Sequence, residues 1–385
     1  MTDAPRPSLL PLIDEKRILV IVGSGGVGKT TTAAALGLLA TRQGRRSLVM
    51  TIDPARRLAT SLGLASLDHE PRPVPEEKLA EAGVPAGQLH AMMLDPKHTF
   101  DDLVRRHATD PQSAQQLLGS RIYQQLSAKL AGSQEYAAME KLHAIHEAQS
   151  YGLVVLDTPP TANALDFLDA PQKMVDAVES PTVSLFVGAY RSTGRFSLGA
   201  LGLGAAYVMR RLARFTGGEF LDQIAGFLFE LSGLLGGMRD RAAQVMELLR
   251  RPEVGFVIVA SPDPRSIDEA IGLHERLARS GMSPSALVVN KVHPLAPFAL
   301  DETAVREALE RGLVPPEESA ATASRLAPLL LAGHEALQVL ARADVVQLQR
   351  LAERCGPDCP HLRVPLFDED IHDVRGLVRL ADCLA

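Results

Sequence analysis

The feature that most constrains the fold is a glycine-rich run that ends in lysine and threonine. Residues 23–30 read GSGGVGKT, which gives the spacing Gly-x4-Gly-Lys-Thr. The apolar residues 18–22 precede this run, and an alanine- and leucine-rich stretch follows it. A strand, a loop and a helix in this order are the context of a phosphate-binding loop. The alternative, an ordinary glycine-rich turn, does not require this spacing of glycine, lysine and threonine. We therefore predict an α/β fold of the phosphate-loop NTPase type.

The residue types in this loop match the chemistry of phosphate binding. Glycines let consecutive backbone N–H groups turn inward, and the N-terminus of the following helix adds a positive dipole. Lys29 is expected to neutralise the β- and γ-phosphate oxygens, and the Thr30 hydroxyl is expected to ligate magnesium. We predict nucleotide contacts for Gly23, Ser24, Gly25, Gly26, Val27, Gly28, Lys29, Thr30 and Thr31.

Short apolar runs alternate with helical stretches along the rest of the chain. These runs lack the period-2 alternation of half-exposed strands, which indicates a parallel sheet with helices on both faces. We expect about seven or eight strands and an inserted α-helical subdomain. The predicted strands cover residues 18–22, 47–52, 89–94, 153–156, 256–260, 287–289 and 362–365.

The predicted organisation is a nucleotide-binding core interrupted by helical insertions. Residues 66–87 are rich in proline, so we expect an irregular surface loop there. The two insertions differ in polarity, since the first is amphipathic and the second is apolar on nearly every face. The expected segments are the first part of the core at 1–100, a helical insertion at 101–150, the core again at 151–166, an apolar helical subdomain at 167–250 and the C-terminal part of the core at 251–385.

Two aspartates follow predicted strands at the ligand-binding edge of the sheet. Ligands of parallel α/β sheets bind beyond the carboxyl ends of the strands. A carboxylate at such a position beside a phosphate loop holds magnesium directly or through water. We assign Asp157 this role and Asp53 a supporting one, with Thr30 as the third metal-binding residue. The alternative is that each aspartate simply caps the next helix or turn.

Composition argues against several classes of protein. The net charge of −6 disfavours a dedicated nucleic-acid binder, which needs clustered lysine and arginine. Three cysteines late in the chain make no disulfide framework. No signal peptide is recognised at the N-terminus, and the longest uncharged run, 196–209, is too short to span a bilayer. We expect a cytoplasmic protein without a transmembrane segment, with at most a transient membrane association.

Six segments together resemble the arsenite-pump ATPase family, which also includes the targeting ATPase for tail-anchored membrane proteins. They are GSGGVGKTTT at 23–32, DPARRL at 53–58, LHAMMLDP at 89–96, DTPPTANALDFL at 157–168, VVN at 288–290 and VPLFDED at 364–370. The likeness extends over the whole chain and is greatest to bacterial paired ATPases of unsettled role. It implies a magnesium-dependent ATPase that works as a homodimer or as a heterodimer with a related ATPase, with facing nucleotide sites.

The resemblance also implies roles for particular residues. Residues 53–62 resemble the first switch of the family and residues 157–168 the second. Asn290 matches the position that reads adenine, because an amide can donate to and accept from a base edge; the alternative is a turn-forming asparagine. The loop formed by Pro365, Leu366 and Phe367 is expected to pack on the base.

Two positions depart from the family pattern. Ser24 stands where related ATPases carry a lysine that reaches the partner's phosphates, and Thr60 stands where an aspartate usually orients the attacking water. Neither residue supplies the missing charge or base. Arg56 or Arg57 could provide a replacement cation, or hydrolysis is slow. We assign catalytic roles to Lys29, Asp53, Asp157 and Arg56.

Three functions remain open from the sequence. The first is an ATP-driven dimeric switch whose apolar helices bind a hydrophobic client, such as a membrane-protein segment. The second is an ATPase that responds to an anion or metabolite, and the third is an ATP-gated scaffold with little hydrolysis. Cys355, Cys359 and His361 have a spacing that a metal site could use, but free thiols fit a single cysteine pair better.

Overall fold

The computed structural model describes most of the chain. The described residues are 7–53, 57–81, 83–85, 87–108, 110–126, 133–159, 169, 172–173, 176, 180–191, 218–297, 299–312 and 319–385. Arg56 lies outside them. So do residues 160–168 of the predicted second switch and most of 167–217 of the predicted apolar subdomain.

Eight strands of the described chain form a single sheet in the order β3-β4-β2-β5-β1-β6-β7-β8. Every neighbouring pair is parallel except β3 and β4, which are antiparallel. This confirms the predicted α/β fold with a largely parallel sheet. The strands are β1 Ile18–Gly23, β2 Ser47–Thr51, β3 Arg72–Pro73, β4 Leu89–Met93, β5 Leu153–Asp157, β6 Val254–Ala260, β7 Pro284–Val292 and β8 His361–Pro365.

The proline-rich segment 66–87 is more regular than predicted. It contains the strand β3, which pairs with Ala91 and His90 of β4, and the helix Glu76–Glu81. The strand escapes sequence analysis because it is two exposed residues long and contains a proline. Proline is compatible with this position since β3 lies at the edge of the sheet.

Helices cover both faces of the sheet. Several begin at an aspartate whose side chain accepts a hydrogen bond from the first turn, as Asp95, Asp110, Asp263 and Asp373 do. The helices of the described chain are α1 Leu10–Glu15, α2 Lys29–Arg42, α3 Arg57–Ser61, α4 Glu76–Glu81, α5 Pro96–His107, α6 Pro111–Gly119, α7 Arg121–Leu126, α8 Ser133–Glu147, α9 Pro181–Arg191, α10 Gly218–Arg250, α11 Pro264–Arg279, α12 Glu302–Gly312, α13 Ser319–Cys355 and α14 Val374–Leu384.

The central strand β1 supplies both layers of the core. Ile18, Val20 and Val22 face a cluster that includes residues of α8, α11 and α13. Leu19 and Ile21 face a second cluster that includes residues of α2 and α14. Burial on both faces explains why the strand has no polar alternation. The loop that follows β1 therefore starts from the middle of the sheet, between β5 and β6.

The described part of the apolar helices packs within the chain itself. Leu221 and Ala225 of α10 form a buried cluster with Phe186 of α9. Phe227 joins a cluster that includes residues of α5, α6 and α7, and Leu249 belongs to the core beneath the sheet. Among the residues described, no helix combines the length and apolarity that crossing a membrane requires.

Candidate functional site

Two glycines set the path of the loop between β1 and α2. Gly23 has a φ of 149°, and a Cβ added there would lie 2.1 Å from the Val259 carbonyl oxygen of β6. Gly28 is the N-cap residue of α2 and has a φ of 100°. A Cβ at Gly28 would lie 2.3 Å from Asn290 Nδ2. The loop is thus held against the ends of β6 and β7 at positions where a side chain does not fit.

We expect Gly23→Ala to destabilise the protein far more than Gly44→Ala. Both glycines have positive φ, but the space around Gly44 is open to at least 4 Å. The φ penalty alone costs about 1–2 kcal/mol, and overpacking against Val259 adds about 1–3 kcal/mol. Urea unfolding of the two variants measures the difference. Equal losses would show that the close approach to β6 does not constrain the loop.

Lys29 is the first residue of α2 and is nearly buried, with 6% of its surface exposed. Its ammonium donates to the carbonyl oxygens of Gly23 at 2.9 Å and Ser24 at 2.8 Å. Burial lowers the pKa of Lys29 from its usual value, and the nearby carboxylates of Asp157 and Asp53 oppose this shift. The loop therefore carries a desolvated cation that lies between its own carbonyl groups and two acidic side chains.

Asp157 ends β5 and lies fully buried behind the loop. Its Oδ2 atom accepts hydrogen bonds from the hydroxyls of Thr30 and Thr51, each at 2.8 Å. Burial raises the pKa of Asp157 to about 6, although both hydrogen bonds and the charge of Lys29 act against that shift. Thr51 can reach Asp157 because β2 lies beside β5 and the two residues are register partners.

The oxygen atoms around Asp157 fit a magnesium ion. The Oδ1 atom of Asp157 is buried and has no hydrogen-bond partner among the described residues. Thr30 and Asp53 line the adjacent cavity. Asp53 is near enough to raise the pKa values of both Lys29 and Asp157. Hard oxygen ligands of this kind are those that magnesium prefers, directly or through water.

Asn290 lies near the end of β7 and contacts the phosphate loop. Its Nδ2 atom donates to the Val27 carbonyl oxygen at 2.9 Å, and its Oδ1 atom accepts from the Lys291 N–H at 2.9 Å. Together with the segment after β8, it lines a cavity of about 360 Å³. The described lining residues are Gly26, Gly28, Lys29, Thr30, Thr31, Asp53, Arg57, Thr158, Asn290, Lys291, Pro365, Leu366, Phe367, Glu369, Asp370 and Ile371.

The structure thus brings together most of the predicted site residues. Pro365, Leu366 and Phe367 reach the cavity, and Phe367 also stacks under the guanidinium of Arg379 at 4.9 Å. Arg57, one of the two candidate replacement cations, also lines it. Thr60 is exposed on α3 and is not among the lining residues.

Four of the predicted loop residues do not line this cavity. They are Gly23, Ser24, Gly25 and Val27. Val27 has a side chain buried in the core, and only its carbonyl oxygen meets Asn290. The Ser24 hydroxyl donates to Glu269 of α11, whose other oxygen accepts from Arg265 at 3.1 Å. A neutral residue held by a carboxylate therefore occupies the position where related ATPases carry a lysine.

Several site residues were not predicted. Thr158 follows Asp157 directly and donates its hydroxyl to the Ile21 carbonyl oxygen at 2.7 Å. Thr51 and Lys291 also lie within or beside the motifs that carry the resemblance. Their proximity to those motifs was an available signal, but their contacts depend on strand order and register.

The cysteine pair shows no feature of a metal site in the described part of the chain. Cys355 and Cys359 are buried in the core, and no group of three or more possible metal ligands was found among the described residues. Burial raises the pKa values of Cys355 and Cys359 to about 11 and about 12, so both thiols are protonated at neutral pH. Cys383 is likewise a free thiol.

The chain matches one known family and is similar to the two proteins described below. Residues 16–186 match the family described as anion-transporting ATPase. The uncharacterized protein SCO2128 of Streptomyces coelicolor is 29% identical over 279 residues, which are 72% of this chain and 63% of that protein. ATPase get3 of Pyrenophora tritici-repentis is 25% identical over 293 residues, which are 74% of this chain and 77% of that protein. These matches confirm the predicted resemblance and agree with the interpretation of the chain as an ATPase.

Proposed function

We propose that this chain, whose residues 16–186 match the anion-transporting ATPase family, binds ATP with magnesium and hydrolyses it slowly. The observation that carries this proposal is the contact of Thr30 with Asp157 beside the buried ammonium of Lys29. A hydroxyl, a carboxylate and a lysine at one helix N-terminus are the groups that phosphoryl transfer needs. The surrounding cavity of about 360 Å³ is lined by Lys29 and Thr30 on one segment and by Asn290 on another.

Each of these groups has a separate task in the proposed reaction. Lys29 exchanges its two contacts with the loop carbonyls for contacts with phosphate oxygens, where its charge offsets the negative charge that develops. Thr30, Asp53 and Asp157 would hold magnesium. When bound, magnesium would neutralise negative charge on the phosphate oxygens. Asn290 positions the base from the end of β7.

We propose that hydrolysis is slow because the loop lacks a second cation. Ser24 contributes no cation, and the side chain next to it is the carboxylate of Glu269. Arg57 lies close enough to Lys29 to lower its pKa, and it lines the cavity, so it is our candidate for the additional cation. Thr60 can hydrogen-bond a water molecule but cannot accept its proton.

We further propose that the chain acts as a dimeric switch, as a homodimer or with a related ATPase. Helix α11 provides a route from the nucleotide to the helical part of the protein. Its Glu269 accepts from Ser24 of the phosphate loop, and its Arg276 pairs with Asp169, beyond the second switch. A shift of the loop on nucleotide binding would therefore be transmitted to segment 167–250. A hydrophobic protein client at that segment is the partner such a switch would serve.

A single-turnover assay tests the proposal. With protein in excess over ATP and magnesium present, we expect retained ATP and conversion to ADP at less than about one event per second, below the usual range of enzymes. A chelator should abolish conversion. Failure to retain ATP would refute the proposed function, whereas retention without conversion would favour the ATP-gated scaffold. Faster turnover would contradict the role given to Ser24 and Thr60.

The same preparation tests the switch. Its mass in solution, measured with ATP and with ADP, should correspond to a dimer in at least the ATP state. A transmembrane peptide should bind in a manner that depends on the nucleotide. A monomer in both states would refute the dimeric switch, and binding of the peptide that ignores the nucleotide would refute the coupling through α11.

A further inference from the structure

Lys291 follows Asn290 and has a backbone that needs an explanation. Its φ is 63°, in the left-handed region that a lysine rarely occupies. Such outliers persist where the surrounding structure enforces them, and they concentrate at ligand sites. Lys291 lines the cavity described above, and no role for it follows from the family motifs.

A β-bulge explains how Lys291 reaches the phosphate loop. Val289 pairs with Arg363 and Val292 with Pro365, so β7 contains one residue more than β8 between the same two points. Successive side chains of a regular strand point to opposite faces, but a bulge redirects a side chain. Here both neighbours reach the same loop, Asn290 at the Val27 carbonyl and Lys291 at the Gly26 carbonyl.

The position of the Lys291 ammonium suits a phosphate ligand. Its Nζ atom lies 3.2 Å from the Gly26 carbonyl oxygen, beside the N-terminus of α2. The ammonium group has three donors, so one contact with the loop leaves capacity for an anion. Lys29 contacts different carbonyl oxygens of the loop, those of Gly23 and Ser24. The exposed side chain of Lys291 therefore adds a second lysine charge where Ser24 adds none.

We propose that Lys291 binds the phosphate chain of the nucleotide, and that the bulge at residues 290–291 places it there. This inference rests on the proposed function. Asn290 and Lys291 then act as a pair, since the amide faces the base and the ammonium faces the phosphates. The alternative is that Lys291 only connects β7 to the loop. In that case, removing its charge would change the affinities for nucleotides and nucleosides equally.

Nucleotide and nucleoside affinities of the full chain separate these roles. We expect Lys291→Met, which keeps the apolar stem, to weaken ADP binding about tenfold, the loss of one charge-assisted contact. Its affinity for adenosine should stay within about twofold of the parent. Lys291→Arg should bind ADP nearly as well as the parent. Lys291→Gly, which adopts a positive φ freely, should lose ADP affinity without a lower melting temperature.

Lys16→Met is the matched control. Lys16 is a partly exposed lysine whose ammonium also donates to a backbone carbonyl, that of Pro252 at 2.6 Å, but it lies beyond the opposite end of β1. We expect no change in ADP affinity for this variant. Unchanged ADP affinity in Lys291→Met, or equal losses for ADP and adenosine, would overturn the inference while the proposed function stands. A parent protein that binds neither ATP nor ADP would refute the proposed function itself.

Discussion

Lys29→Met should lose ATP affinity by about 100-fold or more without losing stability. The Lys29 ammonium is a buried cation that contacts the loop, and a charge-assisted contact is worth roughly 1.5–3 kcal/mol. Burial already lowers the pKa of Lys29, which means that the folded protein disfavours its charged form. Replacing it by an apolar chain of similar length therefore removes a desolvated charge. Calorimetry with magnesium and ATP, together with thermal unfolding, measures both effects.

This test is specific because ATP affinity and stability are expected to respond differently to the substitution. A variant that merely misfolds would lose affinity and stability together, whereas we expect the melting temperature to stay the same or rise. Lys16→Met, far from the loop, should alter neither quantity. If Lys29→Met retained ATP as firmly as the parent, the interpretation of residues 23–30 as a phosphate-binding loop would be wrong.

Local sequence predicted the parts of the site that are contiguous in the chain. The loop and the helix after it follow from the spacing of glycine, lysine and threonine within residues 23–30. Asp157 follows from the rule that ligands bind at the carboxyl ends of parallel strands. The loop and Asp157 depend on residue type and spacing, which the sequence displays directly. Arg57 and Asn290 were expected only from the family resemblance, and both line the cavity.

The remaining contacts depend on how distant segments are arranged. Thr51 meets Asp157 because β2 and β5 are neighbours, although 106 residues separate the two positions. The Ser24 contact with Glu269 spans 245 residues. Lys291 reaches the loop because of a bulge, and a bulge is a matter of register between β7 and β8. Strand order and register are set by packing of the whole sheet, so periodicity within one strand could not predict them.

Asp157→Asn should abolish magnesium-dependent turnover and change the pH dependence of stability. We expect turnover to fall about 100-fold or more, because an amide is a poor magnesium ligand and the site loses its buried charge. Without magnesium, however, the variant should tolerate rising pH better than the parent. The two results come from the same carboxylate, whose pKa burial raises to about 6. Steady-state hydrolysis and thermal unfolding at several pH values measure them.

The direction of the pH effect follows from proton linkage. Between about pH 4 and pH 6 the unfolded chain has released the Asp157 proton while the folded protein still holds it, so the free energy of unfolding falls as pH rises through this window. The loss amounts to at most about 3 kcal/mol above pH 6, and an asparagine does not incur it. Magnesium binds the ionised form, so adding it with nucleotide should restore the parent's stability but not the variant's. The amide also alters two hydrogen bonds, which shifts the free energy of unfolding at every pH. The decisive quantity is therefore the slope of the free energy of unfolding against pH. Parallel slopes for parent and variant would contradict the assignment of a buried, metal-binding carboxylate at Asp157.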